Sequence, residues 1–199
     1  NTGTPNGSIT NNKFYQTASR TIATTALTHS GIRISNTSGN GYVLTGNTIG
    51  YASNTGTGIY TLVLPASTSG GFLPINLSVG STTASSVQGN TITAIAISGS
   101  SSGTSTSSQF RGIYVGSGLT NIGTGTANTI GSSTSAGAIT YTSSSTSSSE
   151  VYGIYFFPSL LANISNNIVG GISATNSSTG SATIQGIRAF TSTTVINTM

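Results

Sequence analysis

Along most of the chain, single apolar residues are separated by one or two Ser, Thr, Gly or Asn residues. No stretch holds its apolar residues at the three- and four-residue spacing of an amphipathic helix. The segment GIYVGSGLTNIGTGTANTIG, from Gly112 to Gly131, is representative: isolated Ile, Val and Leu among glycines and hydroxylated side chains, without a charge. Brief alternation broken by turn-forming residues predicts short β-strands joined at tight corners.

Two motifs recur within this pattern. Gly-Ile followed by an outward and an inward residue occurs as GIRI at 31–34, GIYT at 58–61, GIYV at 112–115, GIYF at 153–156 and GIRA at 186–189. Asn-x-apolar occurs as NKF at 12–14, NTIG at 47–50, NTIT at 90–93, NTIG at 128–131, NIVG at 167–170 and NTM at 197–199. The two alternate strictly. The Gly-Ile intervals are 27, 54, 41 and 33 residues, a mean of about 39, within the range of solenoids and propellers. Propeller blades need four strands and hairpin turns, whereas each repeat here offers two or three apolar positions and few hairpin signals. The expectation is an all-β fold: a right-handed parallel β-helix, or solenoid, of about six irregular rungs, forming one segment over 1–199 with 1–30 as an incomplete first rung.

In such a stack equivalent residues lie above one another. Ile32, Ile59, Ile113, Ile154 and Ile187 are expected to fill the core from one strand. Ile49, Ile92, Ile130 and Val169 fill it from another, with Phe14 and Met199 at the ends. Asn12, Asn47, Asn90, Asn128, Asn167 and Asn197 form a corner column. Asn suits it because the residue tolerates left-handed backbone and can bond amide to amide along a stack. The Ser/Thr/Gly-rich runs 98–109, 142–150 and 176–185 each follow an Asn motif and precede a Gly-Ile, so they decorate one flank. Segment 65–81 falls between a Gly-Ile and its Asn, and the pattern assigns it no place.

Composition removes most chemistry. Ser and Thr total 72 of 199 residues, with 17 Asn and 27 Gly, and only 3% are charged. Disordered chains are rich in Pro and charge and poor in β-branched residues; this one has 4 Pro and Ile throughout. Lys13, Arg20, Arg33, Arg111 and Arg188 are scattered and form no tract for a phosphate backbone, so no nucleic-acid partner is expected. The absence of Cys removes disulfides and thiolate metal sites. No run approaches the ~18 apolar residues of a membrane span.

Glycoside hydrolysis needs two carboxyl groups, and calcium usually several; the sequence has one, Glu150. His29, the sole histidine, lies about three rungs away, roughly 14 Å at the spacing of stacked strands. GTGTAN and GSGLTN lack the Lys and the helix of a phosphate loop. A non-catalytic chain without cofactor or metal is expected. The residue after each Gly-Ile should face outward, giving a candidate ligand-binding stripe of Arg33, Tyr60, Tyr114, Tyr155 and Arg188. Tyr and Arg are enriched at binding hot spots.

GIYFFPSLLANISNNIVGGISATNSSTG at 153–180, and FRGIYVGSGLTNIGTGTANTIGSS at 110–133, resemble the repetitive β-helix regions of very large secreted bacterial surface proteins. The likeness runs from Gly31 onward and is strongest to Bacteroidota proteins carried by the type IX secretion system. It implies an extracellular or cell-surface location and a structural, adhesive or filament-forming role. The partners expected are further rungs of the same chain, copies of itself end to end, and surface glycans. The alternatives are a carbohydrate-binding or polysaccharide-processing β-helix, including phage tailspike-like fibres, and ice binding through Thr48, Thr91, Thr129 and Thr198, a column interrupted by Ile168. Opening at Asn1 without an initiator Met or signal peptide, and stopping within an Asn motif, the chain reads as part of a longer repetitive protein.

Overall fold

The computed structural model describes residues 7–22, 28–66, 71–157 and 162–189. Wherever Ile, Val, Leu or Tyr alternates with Thr, Ser or Asn, a short strand forms, because β-branched and aromatic side chains fit a pleated surface. Among the described residues the strands assemble into four sheets, and every pairing is parallel. The first sheet contains Ser8–Thr10, Val43–Thr45, Ser85–Gln88, Thr120–Ile122 and Ala162–Ile164. The second contains Lys13–Phe14, Thr48–Gly50, Thr91–Thr93, Thr129–Gly131 and Ile168–Gly170. The third is Arg20–Thr21, Tyr60–Leu64, Ile95–Gly99, Ile139–Ser143 and Ile172–Asn176. The fourth is Ile32–Asn36, Ile75–Val79, Phe110–Ser117, Ser149–Phe156 and Ala182–Ala189, with the short strands Thr28–His29 and Gly71–Phe72 alongside.

The chain visits the sheets in this order again and again, so the fold is a β-solenoid. About four turns separate its first level of strands from its last. The sixth expected level, with Asn197 and Met199, lies outside the described residues.

Each sheet sends apolar residues inward in register files. Leu44, Val87 and Ile122 come from the first sheet, Ile49, Ile92 and Ile130 from the second, and Leu62, Ile97 and Tyr141 from the third. All are essentially fully buried. Burying one such aliphatic side chain contributes about 1.5–3 kcal/mol.

The fourth-sheet file corrects the sequence reading at two positions: Ile59 lies outside it, and Ile187, at the last described level, is in register but 52% exposed instead of core. The residues in register are Ile32, Ile75, Ile113, Ile154 and Ile187. Ile59 is not among them: it precedes a third-sheet strand and is 57% exposed. The unassigned segment supplies the missing member, because Ile75 of LPIN does what the Gly-Ile isoleucines do elsewhere. GIYT at 58–61 copies the motif but not its place. Its Gly58 has φ +73° and turns the chain before the third sheet, where Tyr60 aligns with Ile95.

The two isoleucines should therefore respond in opposite ways. Ile75→Ala should destabilise the fold by about 2–5 kcal/mol, the cost of a core cavity. Ile59→Ala should stay within about 0.5 kcal/mol, as exposed substitutions do. Paired urea titrations read the difference, and equal midpoints would contradict the register.

Candidate functional site

The asparagine column forms a hydrogen-bonded ladder. The Oδ1 of Asn47 accepts from Asn12 N and Nδ2 at 3.0 and 3.1 Å. Asn90 Oδ1 accepts likewise from Asn47 at 3.0 and 2.9 Å, and Asn128 Oδ1 from Asn90 at 2.9 Å twice. Asn128 Nδ2 donates to Asn167 Oδ1 at 2.9 Å. Each inner amide also donates to a first-sheet carbonyl: Asn47 to Ile9, Asn90 to Leu44, Asn128 to Val87 and Asn167 to Ile122. Asn47, Asn90 and Asn128 are buried. These amides are thus fully occupied in closing the corner between the first two sheets.

The backbone reason given from sequence needs correction. Left-handed φ belongs not to the ladder asparagines but to the residues before them, at Asn11 (57°), Gly46 (67°), Gly89 (61°) and Asn166 (58°).

On the outer face of the fourth sheet the register column reads Arg33, Asn76, Tyr114, Tyr155 and Arg188. Tyr60 is not in the stripe. It faces inward from the third sheet, stacked on Phe72 with ring centroids 5.2 Å apart and planes 9° from parallel. Burial raises the pKa of its hydroxyl. Arg33 is exposed, Tyr114 and Arg188 are half-buried, and Tyr155 is completely buried. An exposed aromatic stripe therefore does not exist among the described residues.

The covering element is the low-complexity run that leaves the third sheet after Gly99. Gln109 holds it by donating to the carbonyls of Ser102 (2.8 Å) and Ser107 (3.0 Å), and Ser101, Ser102, Ser108 and Gln109 are all buried. Its apex Ser105 sits at φ 56°, a region L-residues rarely adopt. From there its N–H donates to Glu150 Oε2 at 2.7 Å and its hydroxyl lies 2.9 Å from that of Tyr155.

Under this loop lies a cluster that the sequence reading did not assemble. Glu150 accepts from Ser105 N–H, from the Tyr152 hydroxyl and from Arg188 Nη1 (3.3 Å). Arg188 also donates to Tyr152 Oη at 2.5 Å and lies over the rings of Tyr152 and Tyr155. Burial, then the hydrogen bond to Glu150, pushes the Tyr152 phenol up to about 12. Arg111, in register with Tyr152, is 4% exposed, and its guanidinium carbon stands 4.6 Å from the centre of the Tyr114 ring. Its Nε has no hydrogen-bond partner among the described residues. Burial lowers its pKa, against an opposing contribution from Tyr114. The signal in the sequence was slight: Arg111 and Tyr152 each stand immediately before a Gly-Ile.

His29 and Glu150 do not meet. His29 Nε2 lies 2.6 Å from the Tyr60 hydroxyl, and its ring is 5.3 Å from that of Phe72. Burial, then Arg20, lowers its pKa below 6.5. A base whose folded pKa is depressed gives full stability above its unfolded pKa and loses it as pH falls through the interval below. The melting temperature should therefore fall on acidification below about pH 6.5. His29→Gln should flatten that slope; an unchanged slope in the variant would place the sensitivity elsewhere.

On the second sheet the outward file runs Lys13, Thr48, Thr91, Thr129, Ile168, a single file of threonines. Thr198 lies outside the described residues. Lys13 Nζ donates to the carbonyl of Asn54 at 2.8 Å, above a shallow hollow lined by Tyr15, Thr48, Tyr51 and Thr91. Among the described residues no group of three or more His, Cys, Asp and Glu comes together, and no helix is long and apolar enough to cross a membrane. No family model, no curated protein and no solved structure matches this chain.

Proposed function

We propose that this solenoid is a non-catalytic structural and adhesive segment of an extracellular surface protein, of the kind carried by the type IX secretion system of Bacteroidota. The observation that carries the reading is how the reactive side chains are used. The one carboxylate of the sequence is held by Ser105, Tyr152 and Arg188, and the imidazole lies against Tyr60 and Phe72. The amides of the corner column bond to one another. Chemistry that elsewhere would serve a reaction here serves the stack. A right-handed wind, the usual sense of parallel crossovers, goes with this reading.

Continuation along the axis supports a stalk- or filament-like role. In the last described level Ile168, Ile184 and Ile187 are 38%, 44% and 52% exposed. A strand row with open N–H and C=O groups invites another layer, either the next rung or a second copy.

The test is surface labelling of source cells with antibodies raised against the segment. Labelling of intact cells, removed by external protease, is the expected result. Labelling that requires permeabilisation would overturn the extracellular reading. Release of reducing ends from a polysaccharide panel by the purified chain would overturn the non-catalytic one.

A further inference from the structure

We infer that the hollow on the outer face of the second sheet, beside the turn at 52–58, binds a single pyranose ring of a surface glycan. This deepens the adhesive reading and rests on it. The hollow has a volume of about 180 Å³. Drug-sized ligands occupy clefts of about 300–1,000 Å³, so this space suits one sugar unit. Thr48, Gly50 and Thr91 line it from the sheet, together with Tyr15, Tyr51 and Lys13. Tyr15 is 44% exposed and Lys13 is exposed, so a ligand in solution reaches both.

The backbone at this place points to a ligand independently. Tyr51 sits at φ 61°, where a bulky side chain is an outlier. The residues at the same corner in later turns, Ala94 (φ 52°) and Gly171 (φ 61°), are small. Strain of this kind collects at ligand sites, and here a large ring is kept where a small residue serves elsewhere. The turn beside it is already shaped. Ala52 N–H donates to the carbonyl of Thr57 at 2.9 Å, the Ser53 hydroxyl lies 2.7 Å from that of Thr57, and Lys13 Nζ holds the carbonyl of Asn54. A pre-formed site loses less on binding.

The lining specifies the class of ligand. A pyranose has an apolar C–H face and a rim of hydroxyls. The exposed ring of Tyr15 meets the face, as amphipathic aromatic side chains do where one side is apolar and the other wet. The hydroxyls of Thr48 and Thr91 make no hydrogen bond within the described residues, and Lys13 spends one of its three ammonium protons on Asn54. These groups are left for the rim. The one acidic side chain of the sequence pairs with Arg188 on the fourth sheet, so a cationic ligand would find no counter-charge in the hollow.

The experiment is a proton–nitrogen NMR titration of the full 199-residue chain with the methyl glycosides of glucose, galactose, mannose and N-acetylglucosamine. Sorbitol, a polyol without the ring, is the comparison ligand. At least one pyranoside should bind with a Kd on the order of 1 mM, the strength open to a ligand of about a dozen non-hydrogen atoms. It should shift the amides of Gly50, Tyr51 and Gly56, and sorbitol should bind at least tenfold more weakly. Tyr15→Ser should weaken binding at least fivefold. Thr48→Val should weaken it about threefold, the loss of one hydrogen bond, with an unchanged melting temperature. Val43→Ser, on the exposed face of the first sheet, should leave binding as it is.

Should Tyr15→Ser not fold, Thr48→Val decides the same question, because it removes no hydrogen bond within the described residues. Failure of all four pyranosides to bind, equal binding of sorbitol, shifts confined to other faces, or undiminished binding by the folded variant would each overturn the site. Loss of the site with intact surface labelling would leave the structural role standing; failure of the labelling itself would remove the wider reading.

Discussion

Asn90→Ala should destabilise the solenoid by about 3–5 kcal/mol, whereas Asn12→Ala should cost about 1 kcal/mol or less. The two residues occupy equivalent corners two turns apart, so composition and local sequence do not separate them. Position in the ladder does. Asn90 Oδ1 is the acceptor for both the backbone N–H and the side-chain amide of Asn47, and its Nδ2 donates to Leu44 O, Gln88 O and Asn128 Oδ1. Alanine would strand those groups at a corner where Asn47, Asn90 and Asn128 are buried and water does not replace the lost partners. Each buried donor or acceptor left unsatisfied costs about 1–3 kcal/mol.

Asn12, by contrast, is exposed, and its side chain only donates. Water takes over its role. Asn90→Asp should be worse than alanine at neutral pH, since it turns the donor aimed at Leu44 O and Asn128 Oδ1 into a second acceptor. Urea titrations followed by far-ultraviolet circular dichroism measure all three. Closely similar midpoints for Asn90→Ala and Asn12→Ala would mean that the ladder adds nothing beyond local corner geometry.

Gly153→Ala should abolish the native fold or destabilise it by several kcal/mol, while Gly186→Ala, at the same motif position one turn on, should be neutral or stabilising by up to about 1 kcal/mol. Each of these glycines precedes an isoleucine of the fourth-sheet register file; Ile154 is buried in the core, whereas Ile187, at the last described level, is 52% exposed. A Cβ on Gly153 would overlap Val169 of the second sheet and lie 2.6 Å from the carbonyl oxygen of Gly186. On Gly112 it would meet Ile130 at 2.8 Å and the carbonyl of Gly153 at 2.6 Å. The Gly-Ile and Asn-x-Ile motifs are therefore complementary: the isoleucine or valine of one fills the space that the glycine of the other leaves.

At Gly186 an added methyl would find nothing within 4 Å among the described residues, and no positive φ forbids it. Alanine there only narrows the unfolded ensemble. Thermal melts of the two variants decide the matter. A tolerated Gly153→Ala would show that the core yields more than close packing of protein interiors implies.

The β class, the parallel stack, the asparagine ladder and the common flank of the serine-rich runs were all legible in the residues. The reason is that each rests on repetition. When the same side chain must sit above itself in every turn, the period is written into the chain, and amide stacking and apolar alternation are the marks it leaves. Phase was not legible. GIYT at 58–61 and LPIN at 73–76 compete for one place in the second turn, and short-range pattern favours the former. Only the lateral register, Ile32 to Ile75 to Ile113, selects the latter.

The outer face was equally undetermined by pattern. Alternation correctly makes Tyr155 an outward residue on its strand, but outward from a sheet means exposed only if nothing crosses above it. Ser105 crosses above it, from a position 50 residues earlier in the chain. The sequence alone settled what repeats along the axis, because stacking identical groups is a local rule applied turn after turn. The tertiary structure alone decided which copy of a motif enters the stack, and which charged and aromatic side chains gather beneath a loop. Those outcomes depend on contacts between residues far apart in the chain, and no periodicity records them.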